Sequence, residues 1–250
     1  FAFILRGLVV LLNVFLQNSI IQRIKYRFKI RLLDKLANRR YIDYLKTDSA
    51  YGNYLLEGTA EQTFSTGLTA TTNIISELVI FLALCSMLIY LEPNLFWLVA
   101  ILSFISYLFI RFFLPKFYLW GKSLEKTGLL STRYSLQFFQ AFREIILAGK
   151  KNKFMDSYHL QSLKRSKLIA LNVSMNNIPR VLIETLFVII FMCYIIYSIS
   201  INNTFENILL TLGGYLYAGF RIMPGINRII VQLNLFKTCQ PFIETTFKQI

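Results

Sequence analysis

Five stretches of the sequence, at about 1–21, 74–91, 95–114, 181–201 and 207–232, are apolar over close to the length that crosses a lipid bilayer. A hydrocarbon core of about 30 Å takes roughly 20 helical residues, so each run is a candidate transmembrane helix. The 55% hydrophobic and 16% aromatic content of the 250 residues agrees with a chain whose solvent is partly lipid. Only Glu92, Pro93 and Asn94 separate the second run from the third, a tight turn that forces an antiparallel hairpin. A similar hairpin joins the last two runs through INNTFEN at 201–207. The chain opens inside its first apolar run, with no Met, no basic leader and no small-residue cleavage site. The true beginning of the protein is therefore expected to lie upstream, and a signal peptide is not expected.

A net charge of +14 suggests a nucleic-acid partner until its distribution is read. Nine Lys or Arg lie between Gln22 and Asn73 and thirteen from Arg111 to Arg180, while the two short turns carry none. Basic loops stay on the cytoplasmic side, which places both long loops inside and both short turns outside and makes nucleic acid an unnecessary explanation. Cys85, Cys193 and Cys239 lie in or beside apolar runs without CxxC spacing or clustered histidines, which argues against disulfide and metal roles. His159, the single histidine, reads as an exposed helical residue.

The loops at 22–73 and 115–180 are too long for turns and lack linker composition. In QRIKYRFKIRLLDKLANRR at 22–40, Ile24, Phe28, Leu32 and Leu36 recur at helical spacing among basic residues, so the first helix is predicted to continue past the membrane. Residues 121–148 and 154–178 are patterned likewise. Each loop is expected to form two long helices running out and back, about 35–40 Å for ~25 residues. The predicted far turns, near 41–52 and 135–143, are aromatic: Tyr41, Tyr44 and Tyr51 in one, Phe138, Phe139 and Phe142 in the other. Such tips either pack between the long helices or insert into a partner domain.

The last run contains YLYAGFRIMPGINRII at 215–230, with Arg221 and Arg228 around Pro224. An arginine near the bilayer centre costs roughly 2.5–3.5 kcal/mol, so it faces water or a countercharge. Seven residues are two turns, which puts the pair within about 20° of one helix face. Pro224 is expected to bend the helix between them, and Gly225 to admit a close backbone. The carboxylates near inner span ends are Glu77 and Glu184. Arg180 and Glu184, at i and i+4, can pair with each other, leaving Arg6, Arg221 and Arg228 without an obvious partner in sequence. Two readings stand. In one the arginines snorkel to headgroups: Arg228 at about 32 Å along the span, Arg221 less readily at about 21 Å, Arg6 at the outer interface. In the other they line a cationic cavity, where the guanidinium fork matches phosphate oxygens. Asn13, Gln17 and Asn18 face that cavity or neighbouring helices. Trp97, Trp120 and Tyr118 read as interfacial, and Gly213, Gly214 and Gly219 as places of close helix packing.

Short outer turns, paired long helix extensions and apolar tips together resemble the transmembrane domain of ABC exporters. NIPRVLIET at 177–185, FRIMPGINRII at 220–230 and the arginine of FILRGL at 3–8 resemble, more narrowly, bacterial PglK-type flippases of lipid-linked oligosaccharides. The resemblance runs over essentially the whole chain. It implies an all-α polytopic domain of the bacterial inner (plasma) membrane with six helices per subunit, the first missing here. It also implies a homodimer in which 74–114 and 181–201 partly cross to the partner subunit. The cargo would be a polyprenyl-pyrophosphate glycan, its pyrophosphate handled by Arg6, Arg221 and Arg228, with Arg180 fourth. ATP and Mg would be bound by a nucleotide-binding domain, expected after residue 250, that engages the tips at Tyr41, Tyr44, Tyr51, Phe138, Phe139 and Phe142.

No GxxxxGK[ST] loop occurs in the chain, so no catalytic site or cofactor is assigned to it. Cationic walls suit other anionic cargo as well, such as a lipid A precursor, and a peptide exporter keeps the same fold. A non-transporting membrane scaffold, with the arginines as interfacial anchors, is the reading from another class.

Overall fold

The computed structural model describes the backbone of residues 2–38, 40, 42, 49–91, 93–200 and 205–248. Within these it describes the side chains other than those at 2, 3, 6, 49, 88–91, 93–102, 194, 197–200, 205–212, 214–218 and 221. The fold is all-α, with no strand among the described residues. In chain order the helices are α1 (Ala2–Ala37), α2 (Ser49–Asn53), α3 (Thr69–Leu91), α4 (Pro93–Gln140), α5 (Phe142–Leu147), α6 (Lys151–Ser200) and α7 (Phe205–Lys248). Two π-helical segments, Tyr54–Thr59 and Gln62–Leu68, lie between α2 and α3.

Among the described residues, three helices are long and apolar enough to cross a membrane: Gly7–Ala37, Ala50–Met87 and Lys151–Cys193. The apolar runs at 95–114 and 207–232 lie within α4 and α7, in part on side chains outside the described set. Helices of 48, 50 and 44 residues, as α4, α6 and α7 are, measure about 65–75 Å at 1.5 Å per residue. That is more than twice the ~30 Å of a hydrocarbon core, so each has length to spare for a second environment. Pro115 in α4 and Pro179 in α6 do not end their helices, and α7 runs unbroken through Pro224.

The reversal before α6 falls later than the aromatic stretch at 135–143 suggests. Ala141 interrupts the helix at φ −109°, ψ 30°, but one more helical turn and a half follows as α5. The chain turns only at Gly149, whose φ of 66° is left-handed. There Gly149 N–H donates to Ile146 O at 3.0 Å and Lys150 N–H to Ile145 O at 3.1 Å, closing the helix end with the paired bonds of a Schellman motif. Gly149 is the first glycine after the aromatic stretch, and a residue without Cβ takes that φ at little cost.

The chain divides into two compact units. The first comprises 1–69, 118–170 and 236–250. Its buried centre contains Tyr54, Leu55, Ala60 and Phe64 from the π-helical stretch with Cys239 and Phe242 of α7. The Tyr54 hydroxyl donates to Glu125 O at 3.0 Å, and Gly121 of α4 lies so close to Thr238 that a Cβ would overlap its carbonyl. The wide turn at 54–59 is served by its own side chain: the Thr59 hydroxyl lies 3.1 Å from Tyr54 O and 3.0 Å from Leu55 O, capping carbonyls in the loosened ladder. On the other side, α1 is held by Lys25–Glu61 at 2.9 Å and Lys29–Glu57 at 2.7 Å, with Phe28 against Phe64 at 4.9 Å between ring centres.

The second unit comprises 70–117 and 171–235. Its core is a cluster of Ile183 and Phe187 on α6 with Ile222, Ile226 and Ile230 on α7. Both sets recur every four residues, which aligns them along one face of each helix. Phe81, Phe109 and Ile110 pack against the cluster. The Phe187 ring occupies the space beside Gly219, so that glycine is a place of close packing, whereas Gly213 has nothing within 4 Å of a built Cβ. Gly214 lies among the side chains outside the described set.

Candidate functional site

Beside that core, α6 and α7 open a cavity of about 410 Å³. Arg180 and Glu184 line it from α6, and Phe220, Met223, Asn227 and Arg228 from α7. Helical spacing explains the gathering: Arg180 and Glu184 stand one turn apart on α6, and Phe220, Pro224 and Arg228 one turn apart on α7, so each helix turns one strip of residues to the cavity. Two of the four arginines singled out in the sequence, Arg180 and Arg228, thus share one opening.

Each has a carboxylate partner. Arg180 Nε lies 2.8 Å from Glu184 Oε1, the i, i+4 pair that the sequence allows. Arg228, without an obvious partner in sequence, has one in Glu77 of α3, with Nε 2.6 Å from Oε1. The Glu77 side chain is 16% exposed against 54% for Arg228, so the acid is the buried half of the pair. Removing one partner of a fully buried pair costs on the order of 3–5 kcal/mol, and the exposure of Arg228 lowers that figure here. The lone acid in an apolar run was the signal in the sequence that Glu77 needs a cation.

Among the described side chains, each guanidinium on the cavity wall is thus matched by a carboxylate: Arg180 by Glu184, which also lines the cavity, and Arg228 by Glu77, which does not. Both pairs are made through Nε, which leaves the terminal nitrogens of Arg180 and Arg228 without a hydrogen bond among the described residues. Those nitrogens are donors of the kind that receive phosphate or carboxylate oxygens. Glu77 Oε2 and Asn227 Oδ1 are buried acceptors with no hydrogen-bond partner among the described residues. Glu77 was named in the sequence as a carboxylate near an inner span end; Asn227 was not singled out there.

Arg6 and Arg221 sit on the helical backbone of α1 and α7, with side chains outside the described residues, and Tyr41 and Tyr44 lie outside them altogether. Tyr51 is half-buried and engaged. The other aromatic tip forms a small edge-to-face cluster, Phe138 to Phe139 at 5.8 Å and to Phe142 at 5.6 Å. Phe139 and Phe142 are 74% and 52% exposed, so that cluster presents apolar surface outward.

Of the other polar candidates, Gln17 is engaged and Asn13 and Asn18 are exposed. Tyr118 donates to Glu244 at 3.1 Å, and that bond, with burial second, holds its hydroxyl above the usual tyrosine range. Trp120 is half-buried and engaged, and the Trp97 side chain lies outside the described set. The Cys239 thiol is pushed up to about 12 by burial, which keeps it protonated and unreactive. Among the described residues no group of three or more His, Cys, Asp or Glu could hold a metal ion. No protein-family model matches the chain, and no curated protein matches it.

Proposed function

We propose that the chain is the membrane-spanning part of an ATP-driven exporter that moves a lipid-linked oligosaccharide across the bacterial inner membrane as a homodimer. The observation that carries this reading is the shared cavity of Arg180 and Arg228, whose terminal guanidinium nitrogens make no hydrogen bond among the described residues. A pyrophosphate between a polyprenyl tail and a glycan offers oxygens to both forks, and the apolar wall of Phe220 and Met223 suits the tail's first isoprene unit. Glu77 and Glu184 hold the two guanidiniums in place before cargo arrives, so less side-chain freedom is lost on binding. Arg6 and Arg221 are assigned to the same task by the family resemblance. A nucleotide-binding domain, with its ATP and Mg, would dock on the exposed Phe139 and Phe142 and on the tip at Tyr41, Tyr44 and Tyr51.

The test is binding of a polyprenyl-pyrophosphate oligosaccharide to the protein in nanodiscs, against the neutral polyprenol. Two charge-neutral variants are compared: Arg180→Gln with Glu184→Gln, and Arg228→Gln with Glu77→Gln. Neither leaves a lone carboxylate. The expected result is about a tenfold or greater loss of pyrophosphate-lipid affinity in each, the weight of one or more charge-assisted hydrogen bonds. Unchanged affinity overturns the assignment. One observation favours a second reading: both arginines are already neutralised, as structural ties in a membrane scaffold would be. In that case no pyrophosphate lipid stimulates ATP hydrolysis by the assembled protein in proteoliposomes.

A further inference from the structure

The basic stretch of α1 holds six cations between residues 23 and 35, and the fold sorts four of them into two sets, while Lys35, which also lines the second set's cavity, is engaged elsewhere. Lys25 and Lys29 face the π-helical segments and are paired with Glu61 and Glu57. Arg27 and Arg31 follow two residues later, about 200° around the helix, and make no ion pair or hydrogen bond among the described residues. Instead they rim a second cavity, of about 450 Å³, within the first unit. Its floor is Phe28, Leu32 and Phe64 with Phe247 from the end of α7.

We propose that this groove is a binding site for an anionic phospholipid of the surrounding membrane. One acyl chain lies on the aromatic floor, and the headgroup phosphate meets Arg27 and Arg31. Three observations fix the occupant. The rim is cationic and the floor apolar, which is the complement of a molecule with one anionic end and a hydrocarbon body. The volume falls in the ~300–1,000 Å³ of small-molecule sites, too small for a folded partner. The groove also begins, at Ile24, about one turn beyond Ile20, on a helix whose Leu8, Leu11, Leu12, Phe15 and Ile20 are each more than half exposed. At 1.5 Å per residue, Arg27 stands about 9 Å beyond residue 21, the predicted inner end of the span, at headgroup depth. Anionic lipid is concentrated there, in the leaflet that basic juxtamembrane segments meet. The inference rests on α1 lying in a membrane, and it is independent of the cargo and of the ATP-driven step.

The experiment is native mass spectrometry and thermal denaturation of the whole protein in a neutral detergent, titrated with phosphatidylglycerol or phosphatidylcholine. Wild type is compared with Arg27→Gln plus Arg31→Gln, and with Lys151→Gln plus Lys153→Gln, which makes the same charge change at the exposed start of α6. The expected outcome is retained phosphatidylglycerol and a raised Tm in wild type and in the lysine variant. The arginine variant should bind it roughly thirtyfold more weakly, as expected for two cations beside an anionic headgroup. Arg27→Lys plus Arg31→Lys keeps the charge and should restore most of the binding. Equal loss in the lysine and arginine variants overturns the proposal, since the effect is then the general field of the protein. Undiminished binding in the arginine variant also overturns it and leaves the groove to another occupant, such as an acidic helix. If neither lipid binds and the protein stays in solution without detergent, it is the membrane placement of α1 that has failed.

Discussion

The two units use glycine differently. In the first, Gly121 brings α4 onto the backbone of Thr238, where a Cβ would meet a carbonyl that cannot move without its helix. In the second, Gly219 receives the ring of Phe187, a side chain that can turn aside. Charge follows the same division. The first unit ties α1 down with two lysine–glutamate pairs and leaves other cations on its surface; the second brings its arginines to the wall of one cavity. If the chain works as the proposed exporter, tight backbone contact suits a part that transmits force, and side-chain packing a part whose cavity adjusts to cargo.

The substitution Gly121→Ala strikes hardest at this contrast. It should cost about 3 kcal/mol, the upper range of overpacking, whereas Gly219→Ala should cost less, about 1–2 kcal/mol, because the Phe187 side chain can swing aside at χ1 while a backbone carbonyl cannot. Thermal denaturation of both variants in detergent checks the order. Equal losses would erase the distinction between rigid and adjustable packing.

Arg228→Ala comes next. It leaves Glu77 uncompensated and should destabilise by about 2 kcal/mol, below the figure for a fully buried pair because Arg228 is half-exposed. Adding Glu77→Gln should restore most of the loss. A double variant no more stable than Arg228→Ala would show that the arginine acts through packing and not through charge.

The smallest effect is expected at Glu125 in the first unit. Burial, chiefly, raises its carboxyl above the usual range, with the Glu244 charge adding to it and the Thr245 hydrogen bond opposing it. A raised folded value means that Glu125 favours the fold below its unfolded pKa and that this contribution is lost as the pH rises through the folded value. At pH 7–8 the ionised carboxylate is then a liability, and Glu125→Gln should raise Tm by a degree or two. The gain should shrink as the pH falls toward 4–5. A gain independent of pH would assign it to something other than ionisation.

Much of the helical frame was legible because its causes are local. Ile24, Phe28, Leu32 and Leu36 recur at one helical turn, and α1 continues through all of them to Ala37. The π-helical stretch was not legible. Its widened turns depend on burial of Tyr54, Leu55 and Phe64 against other helices, and the nearest local sign was a run of Gly and Thr from 58 to 72 that also suits ordinary helix packing. The far turn lies at Gly149, beyond the aromatic stretch that marks it in the sequence, because the reversal needs a left-handed φ, which aromatic content does not supply.

The sequence by itself determined that the chain is helical, which segments are apolar, and where its positive charge lies, since helical period and hydropathy act over a few neighbouring residues. Tertiary structure alone decided which charges far apart in the chain meet. Arg228 and Glu77 lie far apart in the chain, and no periodicity relates them; α3 and α7 had to pack before the pair existed. The same holds for the six cations of α1. Their sequence is a uniform basic stretch, and only the helices packed against one side of it make Lys25 and Lys29 structural and leave Arg27 and Arg31 facing an apolar groove.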